Sequence, residues 1–188
     1  MIDAKETAGA LYGIWRIARC DEKGFTFFKA NEEGFWHSFT AAFVLAPFQA
    51  LHKFTLYANL DEPPNAWRMA AIESIEYVIL WILFPLTMYY VVQALDRTQS
   101  FFGYIVAYNW FQLGIGIIIM PWIILSGFNI LPGGISDFVG TMAFIAYTFY
   151  AAFMARVALD ITVGGAIGIV LLDILVTLMV GQVTLRML

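Results

Sequence analysis

Asp173 is an ionisable side chain set in the middle of an apolar run, Val170-Leu171-Leu172-Asp173-Ile174-Leu175. If that run crosses a bilayer, the carboxyl group lies about twelve residues in, roughly 18 Å at 1.5 Å per residue and near the centre of a core about 30 Å thick. A centred carboxylate costs several kcal/mol unless it is paired, hydrated or protonated. Gln49 and Gln112 fall at similar counted depth in two other apolar runs, and Asn109 lies slightly nearer the N-terminal side. The four residues define an expected polar layer. One chemistry open to it is proton or ion handling. The other is interhelical hydrogen bonding, with Asp173 neutral and donating to an amide, and this glue reading is the favoured one. A transport site usually needs an interrupted helix, for which only Pro47 and Pro85 give a hint.

A second cluster is expected at the other end of the runs. Glu73 and Glu76 are three apart, so on a helix both project to one side. His52 and Lys53 close the preceding apolar run at about the same height. A Lys53–Glu73 or Lys53–Glu76 ion pair is expected there. Metal binding by His52, Glu73 and Glu76 is the weaker reading, because facing Glu-x-x-His motifs are absent. His37 and His52 are the only histidines and stand fifteen residues apart, so one monomer cannot use both as axial ligands of one haem. The sequence has no His-Glu-x-x-His zinc motif and no Gly-x-Ser-x-Gly nucleophile elbow. It supports no enzyme and implies no cofactor. Gly164 and Gly168 form a Gly-x-x-x-Gly pair suited to close helix packing, expected within the same bundle rather than between copies.

These groups must be positioned by elements that tolerate lipid. Apolar residues make up 61% of the 188-residue chain and charged ones 13%, with mean hydropathy +0.77. Soluble domains run nearer 45–50% and about 25%. A membrane protein must satisfy its backbone internally, by helices or a closed barrel. Barrel strands would alternate over roughly ten residues, whereas the apolar runs here are about twice as long, as around Ile115–Leu125. The expected fold is an all-α polytopic bundle of five transmembrane helices near residues 37–57, 68–95, 101–126, 138–155 and 161–185. Asn59–Asn65 with its two prolines, Asp96–Ser100 and Asn129–Asp137 supply the turns. The break at Arg156–Asp160 is inferred from length alone, since nearly fifty unbroken residues would overshoot any bilayer.

The remaining residues, 1–36, read as a segment of their own ahead of the membrane domain 37–188. At 100° per residue, Leu11, Ile14, Trp15 and Ala18 share one arc, flanked by Lys5, Arg16 and Arg19. Such a helix suits the membrane interface, with Trp15 buried and Arg16 and Arg19 facing anionic headgroups. Packing on the underside of the bundle predicts the same periodicity. No h-region or cleavage site marks a signal peptide. An inside N-terminus puts Lys5, Arg16, Arg19, Lys23, Lys29, Arg97 and Arg156 on the cytoplasmic side against Lys53, Arg68 and Arg186 opposite, in keeping with the positive-inside bias. The C-terminus is then outside. The single cysteine, Cys20, permits no internal disulfide. A net charge of −4 without a basic stripe argues against nucleic acid.

The segments Asn31-Glu32-Glu33-Gly34-Phe35-Trp36-His37-Ser38-Phe39 and Gly103-Tyr104-Ile105-Val106-Ala107-Tyr108-Asn109-Trp110, with five spans and a cytosolic N-terminus, resemble small bacterial membrane proteins of the Yip1-like group. The resemblance implies a non-enzymatic role in membrane organisation or in association with other membrane proteins. No functional residue is carried over from it. A long cytosolic extension is absent, which speaks against vesicle traffic. The leading expectation is a non-catalytic scaffold or accessory protein of the bacterial inner membrane, binding lipid, other membrane proteins or copies of itself. The alternative is a small proton- or ion-coupled transporter or channel built on the Asp173 layer. An accessory subunit of an energy-transducing complex is a third, lower one.

Overall fold

The computed structural model describes residues 4–188. The described chain forms seven α-helices and two short 3₁₀ turns, with no strand among the described residues. Helices α1 (Ala4–Ile17) and α2 (Glu32–Ser38) flank a 3₁₀ turn at Glu22–Phe27; α3 (Thr40–Ala58), α4 (Ala66–Ala94), α5 (Phe101–Gly127), α6 (Gly133–Leu159) and α7 (Val163–Met187) follow. Helices α4, α6, α7 and α5 with the 3₁₀ turn before it are long and apolar enough to cross a membrane. The multi-pass helical bundle is therefore shown, with four such helices. The expected first span is present as α3, but Gln49, His52 and Lys53 keep it outside that group.

Helix α5 is the hub. It packs against α1, α2, α3, α4 and α6, while α4 and α6 each also contact α7. Every residue from Tyr104 to Phe111 is buried. Eight consecutive buried positions exceed two turns, so neighbours cover this stretch on every side.

The ends of the helices follow local chemistry. Asn65 accepts from the Trp67 and Arg68 amides and starts α4. The proline–glycine segment is shorter as a loop than the sequence suggests, because α6 begins at Gly133, behind Pro132 as its N-cap. First-turn amides need no intrahelical acceptor, so Gly133 and Gly134 are tolerated there. At the break expected near Arg156–Asp160, α6 ends at Leu159, and Asp160 reverses the chain in a left-handed conformation (φ 50°). Thr162 then caps α7 through the Gly165 amide. Helices α3 and α4 continue through Pro47 and Pro85. The interruption lies instead at Phe39, between α2 and α3, where the Ser38 and Thr40 hydroxyls donate to the carbonyls of Phe35 and His37. Such side-chain bonds compete with the helical ladder.

Residues 4–38 are packed into the bundle. The buried face of α1 is Ala10, Gly13, Ile14 and Ile17. The protein-facing stripe is offset from the expected arc: of Leu11, Ile14, Trp15 and Ala18 only Ile14 is buried, and Trp15 stays outside, where an interfacial helix would carry it. The stripe is rotated because Gly13 crosses Gly24 of the 3₁₀ turn at close range, where a Cβ on Gly24 would sit 2.7 Å from the Gly13 carbonyl oxygen. Ile14 packs on Gly114 of α5. Arg16 turns to Asp21, with a 2.7 Å Nε–Oδ2 bond, and Arg19 stacks 4.5 Å over the outward-facing Trp15. Glu6 reaches His37 of α2 at 2.9 Å, and Tyr150 of α6 donates to the Ala18 carbonyl. The segment Asn31–Phe39 meets Gly103–Trp110 through the Asn109–Ser38 bond, and its Phe35 packs on Phe101 and Phe102 just before that segment.

Candidate functional site: a polar-floored cavity inside the bundle

Residues of α3 to α7 line a half-open pocket of about 510 Å³, whose mouth includes the exposed Phe144 and Leu178. Gln49 from α3, Asn109 and Gln112 from α5 and Asp173 from α7 all line it. Asp173 stands ten residues beyond Val163, the start of α7, or about 15 Å along the axis. Its carboxylate is 6% exposed. The remaining lining is mostly apolar, including Leu45, Ile115, Ile119 and Ile174.

The hydrogen bonds of the carboxylate differ from those expected. Asp173 accepts from the hydroxyls of two tyrosines. Tyr147 of α6 donates to Oδ2 at 2.6 Å, and Tyr108 of α5 lies 3.1 Å from both oxygens. Gln112 donates to Tyr108 at 2.7 Å and lies 3.5 Å from the Tyr147 hydroxyl, so it reaches Asp173 through the two tyrosines. The partners of Asp173 are thus two tyrosine hydroxyls rather than the expected amide, with Gln112 one hydrogen bond further out. Sequence reasoning passed over both tyrosines among the many aromatics. One signal was legible: Tyr108 and Gln112 are four apart and therefore share a helix face.

Asn109 is almost wholly buried, and its amide orientation is fixed. The Ser38 hydroxyl donates to the Phe35 carbonyl, so Ser38 can only accept from Asn109 Nδ2, at 2.8 Å. Asn109 Oδ1 is left without a donor. Leaving a buried acceptor unmade costs about 1–3 kcal/mol, and Oδ1 has almost no accessible surface through which a solute could reach it.

The second cluster forms with both acids at once. Lys53 Nζ lies 2.7 Å from Glu73 Oε2 and 3.0 Å from Glu76 Oε2, and Tyr57 donates to Glu73 Oε1 at 2.6 Å. Two carboxylates facing one ammonium leave one negative charge to be balanced by a proton or a cation. Glu76 is 8% exposed and lies beside Gly181 of α7. Gly181 is eight residues past Asp173, about 12 Å along the same helix. His52 does not join the cluster's hydrogen bonds; its Nδ1 is buried without a partner. Among the described residues no three His, Cys, Asp or Glu side chains are grouped to hold a metal ion.

Gly164 and Gly168 do not pack within the bundle. A Cβ on Gly168 would meet nothing within 4 Å, and one on Gly164 would meet only the hydroxyl of Thr162. The expected intramolecular use is thereby corrected: α7 turns this stripe outward because its inward face is occupied by Ala166, Ile169, Val170 and Asp173.

The fold and site define a multi-pass helical membrane protein with a polar-floored, half-open pocket between its helices. No family model, curated protein or solved structure matches the chain.

Proposed function

We propose that this protein is a small proton- or ion-coupled membrane transporter or channel whose solute site is the cavity floored by Asp173. The observation that carries the proposal is the gathering of one acid, three tyrosines and three amides around one half-open pocket between five helices. Ionisable groups inside a membrane bundle are also functional by default. Helices α2 and α3 together make a fifth crossing, since their joint length matches that of α5 alongside them. With the N-terminus inside a bacterial inner membrane and the C-terminus outside, the basic residues distribute as the positive-inside bias requires.

The test is proton flux into vesicles containing the purified protein, read by an internal pH dye under an imposed pH gradient. Wild type is expected to exceed empty vesicles. Asp173→Asn should return flux to the empty-vesicle level while melting like wild type, because an amide cannot titrate. Equal flux from wild type and a folded Asp173→Asn protein overturns the reading.

A second reading, lateral association of a non-catalytic scaffold, is favoured by the outward Gly164–Gly168 stripe. The stripe names no partner, so the cavity takes precedence. The same experiment separates the two, since a scaffold carries no Asp173-dependent flux.

A further inference from the structure

The cavity wall specifies the chemistry of what fills it. Six aromatic side chains line it: Tyr77, Trp81, Phe84, Tyr108, Phe144 and Tyr147. Aromatic faces carry negative quadrupole charge and attract cations. The polar groups on the wall point the same way. Asp173 keeps lone pairs beyond those used by its two tyrosines, since an ionised carboxylate offers about four acceptor sites. No lysine, arginine or histidine lines the cavity. The nearest candidate, Lys53, is already engaged by Glu73 and Glu76. An anion would meet Asp173 and the π-faces with only neutral amide, hydroxyl and indole donors to offset them. A small hydrated metal ion would leave most of an apolar lining uncovered, whereas about 510 Å³ suits a molecule of several carbon groups.

We infer that the cavity binds a hydrophobic organic cation, an ammonium or similar centre on an apolar body, with the positive centre held between Asp173 and the surrounding rings. This rests on the cavity being the solute site. It adds the class of solute and requires no covalent step. The apolar body lies along Leu45, Ile115 and Ile174. The charge is recognised where water is displaced, which strengthens both the ionic and the ring contacts.

The experiment measures equilibrium binding to the full chain in lipid nanodiscs, against empty discs, by quenching of tryptophan fluorescence and by calorimetry. The probes are benzyltrimethylammonium and tetraphenylphosphonium as cations of two sizes, and tetraphenylborate as an anion matched to the larger. Saturable binding of at least one cation and none of tetraphenylborate is expected. Asp173→Asn should weaken the cation by about thirtyfold, the usual scale for removing one partner of a buried charge contact. Trp81→Leu, at a half-buried position, tests the ring contribution independently and should weaken the cation severalfold even if Asp173→Asn fails to fold. The inference is overturned if neither cation binds above empty discs, if tetraphenylborate binds as tightly, or if both folded variants bind like wild type. Failure here with Asp173-dependent proton flux intact leaves the transporter reading standing with a different solute. Cation binding without flux removes the transporter reading and leaves a binding protein.

Discussion

At the scale of single residues, the protein concentrates its cost in a few side chains. Lys53 is held by two acids at once, and Glu73 accepts in addition from the Tyr57 hydroxyl. Removing Lys53 strands two carboxylates, and removing Glu76 strands only part of one ammonium's coordination. Lys53→Met alone should therefore lower the thermal midpoint more than Lys53→Met combined with Glu76→Gln, with a coupling of about 0.5–3 kcal/mol. Additive losses in the double-mutant cycle would show that the groups are independently solvated. The layer at Asp173 was legible as a set of polar residues at one depth, and Gln49, Asn109, Gln112 and Asp173 do share one cavity. Their wiring was not legible. Which tyrosine donates to Asp173 depends on which faces of α5 and α6 meet α7, and in a helix apolar on every side no periodicity records that.

At the scale of elements, the unit formed by α1 and the 3₁₀ turn has its own electrostatic lock. Asp21 is held below the ordinary carboxylate range, first by its hydrogen bond from Arg16 and further by the Lys23 amide, against a smaller opposing effect of desolvation. A depressed folded value means the contribution is complete above the ordinary carboxylate range and is lost as pH falls through the depressed value. Docking of α1, followed by the fluorescence of Trp15 beneath Arg19, should loosen on acidification in wild type. Asp21→Asn should already be looser at neutral pH and should respond less to acid. An unchanged acid response in that variant would assign the effect to another group. The rotated face of α1 is instructive here. Periodicity identified an amphipathic helix, but both Ala10–Ile14–Ile17 and Leu11–Trp15–Ala18 are apolar stripes, and the sequence favoured the bulkier one. The structure buries the smaller stripe because Gly13, Gly24 and Gly114 allow backbones to approach there, leaving the large rings outside.

At the scale of the whole molecule, the proposed topology requires α2 and α3 to cross the membrane. Cys20 is the only cysteine and is exposed, so side-specific labelling tests this directly. In intact cells an impermeant maleimide should leave Cys20 unlabelled. It should label Asp61→Cys, in the loop after α3, in a Cys20→Ser background. Equal labelling of both positions would place them on one side and reduce the bundle to its four strongly apolar spans. The decision is physical rather than statistical: Gln49, His52 and Lys53 lower the hydropathy of α3, but Lys53 lies in an ion cluster and Gln49 faces the cavity, so neither presents its charge or amide to lipid.

The sequence by itself determined the solvent, the helical class, the approximate extent of the long helices and the depth of Asp173. Each depends on the local count of apolar residues, or on proline and turn chemistry that acts within a few positions. It also placed Glu73 and Glu76 on one face, since a spacing of three fixes that on any helix. Tertiary structure alone decided that both acids share Lys53, that Asp173 is held by Tyr108 and Tyr147, that Gly164 and Gly168 face outward, and that the chain is interrupted at Phe39 rather than at its prolines. These outcomes depend on rotations of helices about their own axes and on the order of neighbours around α5. Uniformly apolar helices leave those rotations undetermined until side-chain shape and hydrogen bonding across the bundle select one arrangement.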